Sequence, residues 1–183
     1  VSLPLQVEAY SPEKTKNFFD GLLPEGFTRR SVAISIRSDE NDYITILKSL
    51  GCECLGAIRI SGEGDDLPKP SYELLDTDQI RRLAAEGASK SAEMVIKAHL
   101  SLTGASGKAG LYHDGNNWYL PKGTAPSTHI VKQSHVRLMD IVANEHLCLL
   151  TAKKLGIPCP ESFIINTGSA DDSEVLFATR RYD

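Results

Sequence analysis

The sequence holds no run approaching about 18 uninterrupted apolar residues, so no helix is expected to span a bilayer. It also lacks an excess of positive charge. Lys and Arg number 20 against 24 Asp and Glu, a net charge of −4. That excludes a generally basic nucleic-acid coat, though not a local basic patch. Cysteine is scarce: Cys52 and Cys54 form C-x-C rather than C-x-x-C, and Cys148 and Cys159 stand far from them. No histidine lies at zinc-finger spacing, so buried free thiols are expected in place of a metal site or disulfide framework. Internal repeats and low-complexity segments are absent. Disorder is excluded by 41% hydrophobic and 24% charged residues. A chain of 183 residues can bury about 70% of its unfolded surface, enough for a core without staples.

Start and stop signals divide the first half. Ser11 before Pro12 predicts a helix start. That helix carries Phe18, Phe19, Leu22 and Leu23 and stops near Pro24. A second helix holds Tyr43, Ile44, Ile46, Leu47 and Leu50, with Gly51 placed to end it. Residues 55–60 alternate like a strand, and 62–70 form a loop rich in Gly, Pro and Asp. Asp76 and Gln79 make a capping-box pattern ahead of Ile80, Leu83 and Ala84. The texture changes near residue 95. Short strands are predicted over 98–102, 109–112, 118–120 and 128–132, the third after the turn signal at 114–117. A helix over 140–155 closes at Gly156 and Pro158, and strands over 163–165 and 175–177 follow. Val1 in place of Met, and a strand running close to the last residue, are expected of a piece trimmed from a longer protein.

The run from Ser101 to Gly110, with Leu102, Thr103, Gly104, Ala105, Ser106, Gly107 and Lys108 inside it, is rich in glycine and other small residues. Glycines let backbone N–H groups approach phosphate oxygens closely. A Walker A loop fails twice, because Leu102 stands at its first glycine and Ala109 replaces the Mg²⁺-binding hydroxyl. The loop also looks like that of short-chain dehydrogenases, which must open a helix. Turn signals follow here instead, and Tyr119 and Lys122 are one residue too close for that family's Tyr-x-x-x-Lys pair. A third reading is a strand–loop–strand flap over ATP phosphates. A hairpin loop without a ligand is the fourth.

Two charges are out of place. Lys132 shares a strand face with Thr128 and Ile130. Glu145 falls within a helical stripe of Ile141, Cys148, Ala152 and Leu155. Each charge needs a partner if it turns inward. Kinase chemistry asks for such a pair, in which a strand lysine holds phosphate oxygens and a helix glutamate holds the lysine. Alone, either residue could simply reach solvent; after a Gly-rich loop the pair favours a kinase. His99, His113, His129, His135 and His146 show no ligand spacing, so structural roles are expected of them.

Several segments together carry a resemblance: Ser2-Leu3-Pro4-Leu5, Phe18-Phe19-Asp20-Gly21-Leu22-Leu23-Pro24, Ser101 to Ala105 with Lys108, and Pro121-Lys122-Gly123. Thr128 to Lys132, Asn144-Glu145-His146 and Arg181-Tyr182-Asp183 complete it. In these the chain resembles the HipA family of bacterial toxin kinases over nearly its whole length. The resemblance implies an α+β fold. A mixed α/β accessory subdomain over 1–95 would precede a kinase-like N-lobe over 96–183, an antiparallel β-sheet with one αC-type helix. It implies a cytoplasmic serine/threonine kinase with ATP and Mg²⁺ as cofactors and a protein target, an aminoacyl-tRNA synthetase among relatives. A HipB-like helix-turn-helix antitoxin would be the partner, with DNA reached only through it and no membrane contact. Carried over by motif, the ATP-binding residues are Leu102, Thr103, Gly104, Ala105, Lys108, Lys132, Arg181 and Tyr182. Glu145 is the lysine's partner, and Ser101 matches a loop serine that relatives autophosphorylate. Such a phosphate would place about −1.5 to −2 charge where ATP phosphate must sit. Ser106 and Gly107, and Arg180 near the hinge, depart from the family pattern. The family's catalytic Asp and Asn and its Mg²⁺-binding Asp have no counterpart here, so the chain alone is expected to be inactive. A dehydrogenase-like nucleotide domain and a non-catalytic partner-binding module are the alternatives.

Overall fold

The computed structural model describes residues 3–50, 54, 58–86, 88–98, 102, 107–134, 139–168 and 171–182. Helix α1 (Pro12–Asp20) begins as the sequence predicts, with the Lys14 N–H donating to the Ser11 hydroxyl at 3.3 Å. It ends before Leu22 and Leu23, yet Leu23 is fully buried in the turn beyond. Helix α2 (Gly26–Ser35) is not foreseen, because Glu25 before it makes no side-chain cap. Helix α3 (Tyr43–Leu50) opens on Asp42, which accepts from the Thr45 N–H and hydroxyl at 3.1 and 2.6 Å. Leu23, Val32, Ala33, Ile46, Leu47 and Leu50 close one core around Val95.

Strands β1 (Ser71–Leu74), β2 (Lys108–His113), β3 (Trp118–Lys122), β4 (His129–Lys132), β5 (Ser162–Asn166) and β6 (Val175–Arg180) form one antiparallel sheet. Their order is β1-β3-β2-β4-β6-β5. Helix α4 (Thr77–Glu86) and helix α5 (Ala88–Ala98) cover the back face, and helix α6 (Ile141–Lys154) covers part of the front. The back core joins Leu83, Ala84 and Met94 to Leu111, Leu120, Val131 and Leu176. The capping box at the start of α4 is reciprocal. The Asp76 N–H donates to Gln79 Oε1 at 2.8 Å, and the Gln79 N–H to Asp76 Oδ1 at 2.7 Å. On the front, Val142 of α6 packs with Val175 and Phe177.

Several expectations are corrected. Of the strand predicted over 98–102, residue 98 is the last of α5 and Leu102 lies in no strand, while 99–101 lie outside the described residues. The Gly-rich run leads into β2 at Lys108, and its residues 103–106 lie outside the described residues. Residues 58–60 form no strand, while 55–57 lie outside the described residues. β1 was missed because it is short and on the sheet edge, with Tyr72 and Leu74 exposed. The dehydrogenase alternative fails, since β2 runs through Gly110 to His113 and turns back into β3 where a helix is required. The buried stripe of α6 is Val142 with half-buried Ile141 and Leu149, and Leu155 is exposed. Cys148 is exposed by the same rotation, against the expectation of buried thiols. Cys54 is buried, Cys159 is half-buried and Cys52 lies outside the described residues.

α5 carries its own electrostatic clasp. Glu93 accepts from Lys90 at 2.8 Å and from Lys97 at 2.7 Å, and these bonds lower its pKa from 4.5 to about 2. A carboxyl depressed by folding stabilises the native state above its unfolded pKa. We expect this contribution to be present at neutral pH and lost as pH falls from 4.5 toward 2. Carboxyl NMR titration of Glu93 should give a midpoint near 2, rising toward 4.5 in Lys90→Met or Lys97→Met.

Candidate functional site

Side chains alternate across a strand, so β4 sends Val131 to the back core and Lys132 to the front. Helix α6 meets it there. Asp140, in a left-handed conformation, precedes the helix, and Glu145 follows one turn into it. Lys132 Nζ donates to Glu145 Oε1 at 2.5 Å, and the ammonium lies 5.6 Å from the Phe177 ring centroid. The lysine side chain is 21% exposed and the glutamate 37%. The His146 ring shares a 3.1 Å hydrogen bond with Ser162 of β5, which ties the same helix to the sheet.

Lys108 begins β2 directly opposite Lys132 in the register. Burial and the neighbouring Lys132 charge push its pKa below 10.5, while Glu145 and Glu25 pull the other way. Two lysines thus lie side by side at this end of the face, with Glu145 bonded to one and both Glu145 and Glu25 acting on the other. Further along, Ile130, Phe177 and Thr179 share the face by register. Thr179 Oγ1 is buried and has no hydrogen-bond partner among the described residues. An orphaned buried hydroxyl costs about 1–3 kcal/mol, and the Thr28 hydroxyl is in the same position among the described residues.

The other candidates are dispersed. Arg181 sits at the far end of β6, its N–H bonded to the Thr128 carbonyl at 2.9 Å and its guanidinium to the Ser127 hydroxyl at 2.8 Å. Thr128 and Lys132 are four residues apart on an extended segment, about 13 Å. Tyr182 is 94% exposed at that same end. Leu102 is buried in the back core with Leu83 and Met94, away from Lys132 and Glu145. Ser101, Thr103, Gly104 and Ala105 lie outside the described residues, as do His99, His135 and Asp183. Sequence reasoning missed Thr179 and Phe177, though the alternation of Val175, Phe177 and Thr179 along β6 holds that signal.

Residues 1–61 match the HipA N-terminal domain, and residues 100–183 match the HipA-like C-terminal domain. The chain is 25% identical over 152 residues to the serine/threonine-protein kinase toxin HipA of Shewanella oneidensis. That match covers 82% of this chain and 35% of the relative. A chain in the solved complex of the Shewanella oneidensis MR-1 toxin–antitoxin system, with HipA, HipB and operator DNA, superposes with a TM-score of 0.73. It is 24% identical and spans 93% of this chain and 39% of that one, a likeness of fold. The chain therefore covers little more than a third of the length of these relatives.

The charge arrangement predicts a titration. Glu145→Gln removes an influence that raises the Lys108 pKa, so the midpoint should fall further below 10.5. Lys132→Met removes a like charge, so it should rise. Side-chain NMR of isotope-labelled lysine reads both changes.

Proposed function

The chain belongs to the HipA family of toxin kinases, and on that premise we propose that it is the ATP-binding N-terminal portion of a serine/threonine protein kinase. The observation that carries this reading is the Lys132–Glu145 pair on the front of the sheet. In it, the sheet and α6 act as a kinase-type N-lobe, with Glu145 holding Lys132 toward phosphate oxygens. Lys108 adds a second cation beside them, and the orphaned Thr179 hydroxyl offers a hydrogen bond farther along the face. Arg181 and Tyr182 would border the adenine, and the segment from Ser101 to Ala105 would run by the phosphates. The γ-phosphoryl group of ATP would pass to a protein Ser or Thr hydroxyl oxygen, with ADP as the leaving group and the hydroxyl proton taken by the catalytic base. Lys132 and Lys108 neutralise charge on the phosphates, and Glu145 keeps Lys132 from swinging to solvent.

The catalytic base and the Mg²⁺ ligands are assigned to the part of the relatives' length beyond this chain's match. Regulation would come from a HipB-like helix-turn-helix antitoxin, with DNA contacted through that partner. Phosphorylation of Ser101 would set a competing negative charge beside the lysines.

Titration calorimetry with ATP should detect weak binding, falling about tenfold or more in Lys132→Met because a charge-assisted contact is lost. Equal affinity in both proteins would overturn the assignment. A Mg-ATP phosphotransfer assay on this chain should show no turnover, and robust turnover would refute the division of labour.

A further inference from the structure

The last residue of β4 and its two followers leave the strand in three directions. Lys132 reaches Glu145 of α6, Gln133 reaches Ser91 of α5, and Ser134 reaches Asp172 before β6. The middle contact is the most enclosed. Gln133 is 3% exposed and Ser91 is fully buried, and the Ser91 hydroxyl donates to Gln133 Oε1 at 3.0 Å. A buried amide and hydroxyl each demand a partner, so this bond tolerates little displacement. Neighbouring residues of an extended chain point to opposite faces. Gln133 is thus pinned to the back layer while Lys132 is aimed at the front. A slip of one residue would exchange the two and leave both polar groups unsatisfied.

We propose that Gln133, held by Ser91, is a positioning residue that fixes the direction of the Lys132 ammonium toward Glu145. Its bearing on phosphate binding rests on the nucleotide reading above, but its effect on Lys132 does not. The neighbouring bonds set the context. Ser134 and Asp172 meet at 2.5 Å on the outside of the same junction. Lys90, one residue before Ser91, is already committed to Glu93.

The test is the rate of reductive methylation at Lys132 with formaldehyde and cyanoborohydride, read by mass spectrometry against exposed Lys153 in the same molecule. Ser91→Ala should speed methylation of Lys132 about fivefold, the effect of losing one ordinary hydrogen bond. Stability is separated by combining Ser91→Ala with Gln133→Met, which removes both polar partners at similar volume and should restore the unfolding midpoint. Lys132 should stay fast in that double variant. An unchanged rate in Ser91→Ala, or full protection of Lys132 in the double variant, would overturn the proposal. ATP titration of the same proteins keeps the two readings apart. Absent ATP binding with a changed methylation rate rejects the nucleotide assignment and supports the positioning role.

Discussion

An ammonium group on the inner side of a β-sheet loses much of its water, and only a nearby anion makes that tolerable. Here the anion comes from a different element, so the ion pair between Lys132 and Glu145 constrains the placement of α6 on the sheet. Val142 on the same helix packs on Val175 and Phe177, and the His146–Ser162 bond secures the next strand. Apolar contact and charge therefore demand one docking position. Lys108 sets a second cation beside the pair, under the influence of Glu145 and Glu25.

The opposite face of the sheet does different work. Leu111, Leu120, Val131, Leu176 and Ala178 are sealed beneath α4 and α5. α5 also lends Val95 to the core of the N-terminal helices. It is thus common to both hydrophobic clusters. The helices and the sheet are accordingly joined by shared side chains. A disturbance in either cluster reaches α5 without passing through solvent-exposed contacts.

Local signals in the sequence were reliable where one residue did one job. Ser11 with Pro12, and Asp76 with Gln79, mark helix starts because each side chain meets a backbone N–H within its own turn. Lys132 and Glu145 were legible because each breaks an apolar pattern. Helix α2 was not, since its start has no capping side chain and its buried Thr28, Val32 and Ala33 are weak markers. Helix α5 was not, because its charged residues pair with one another along the helix and its burial is set by residues far away in sequence. The stripe of α6 was misread by one position, which moved Cys148 outward and Val142 inward. That the Thr179 hydroxyl is buried without a partner among the described residues appears only in three dimensions.

Strand β1 belongs to the chain before residue 95 but hydrogen-bonds along β3. A protein begun at residue 96 would lose β1, α4 and most of α5 together. β3 would become an unprotected edge, and the side chains of Leu111 and Leu120 would face water. Bare strand edges beside apolar surface recruit copies of themselves. The sheet that carries the lysine therefore relies on the preceding segment to cover both its edge and its apolar back.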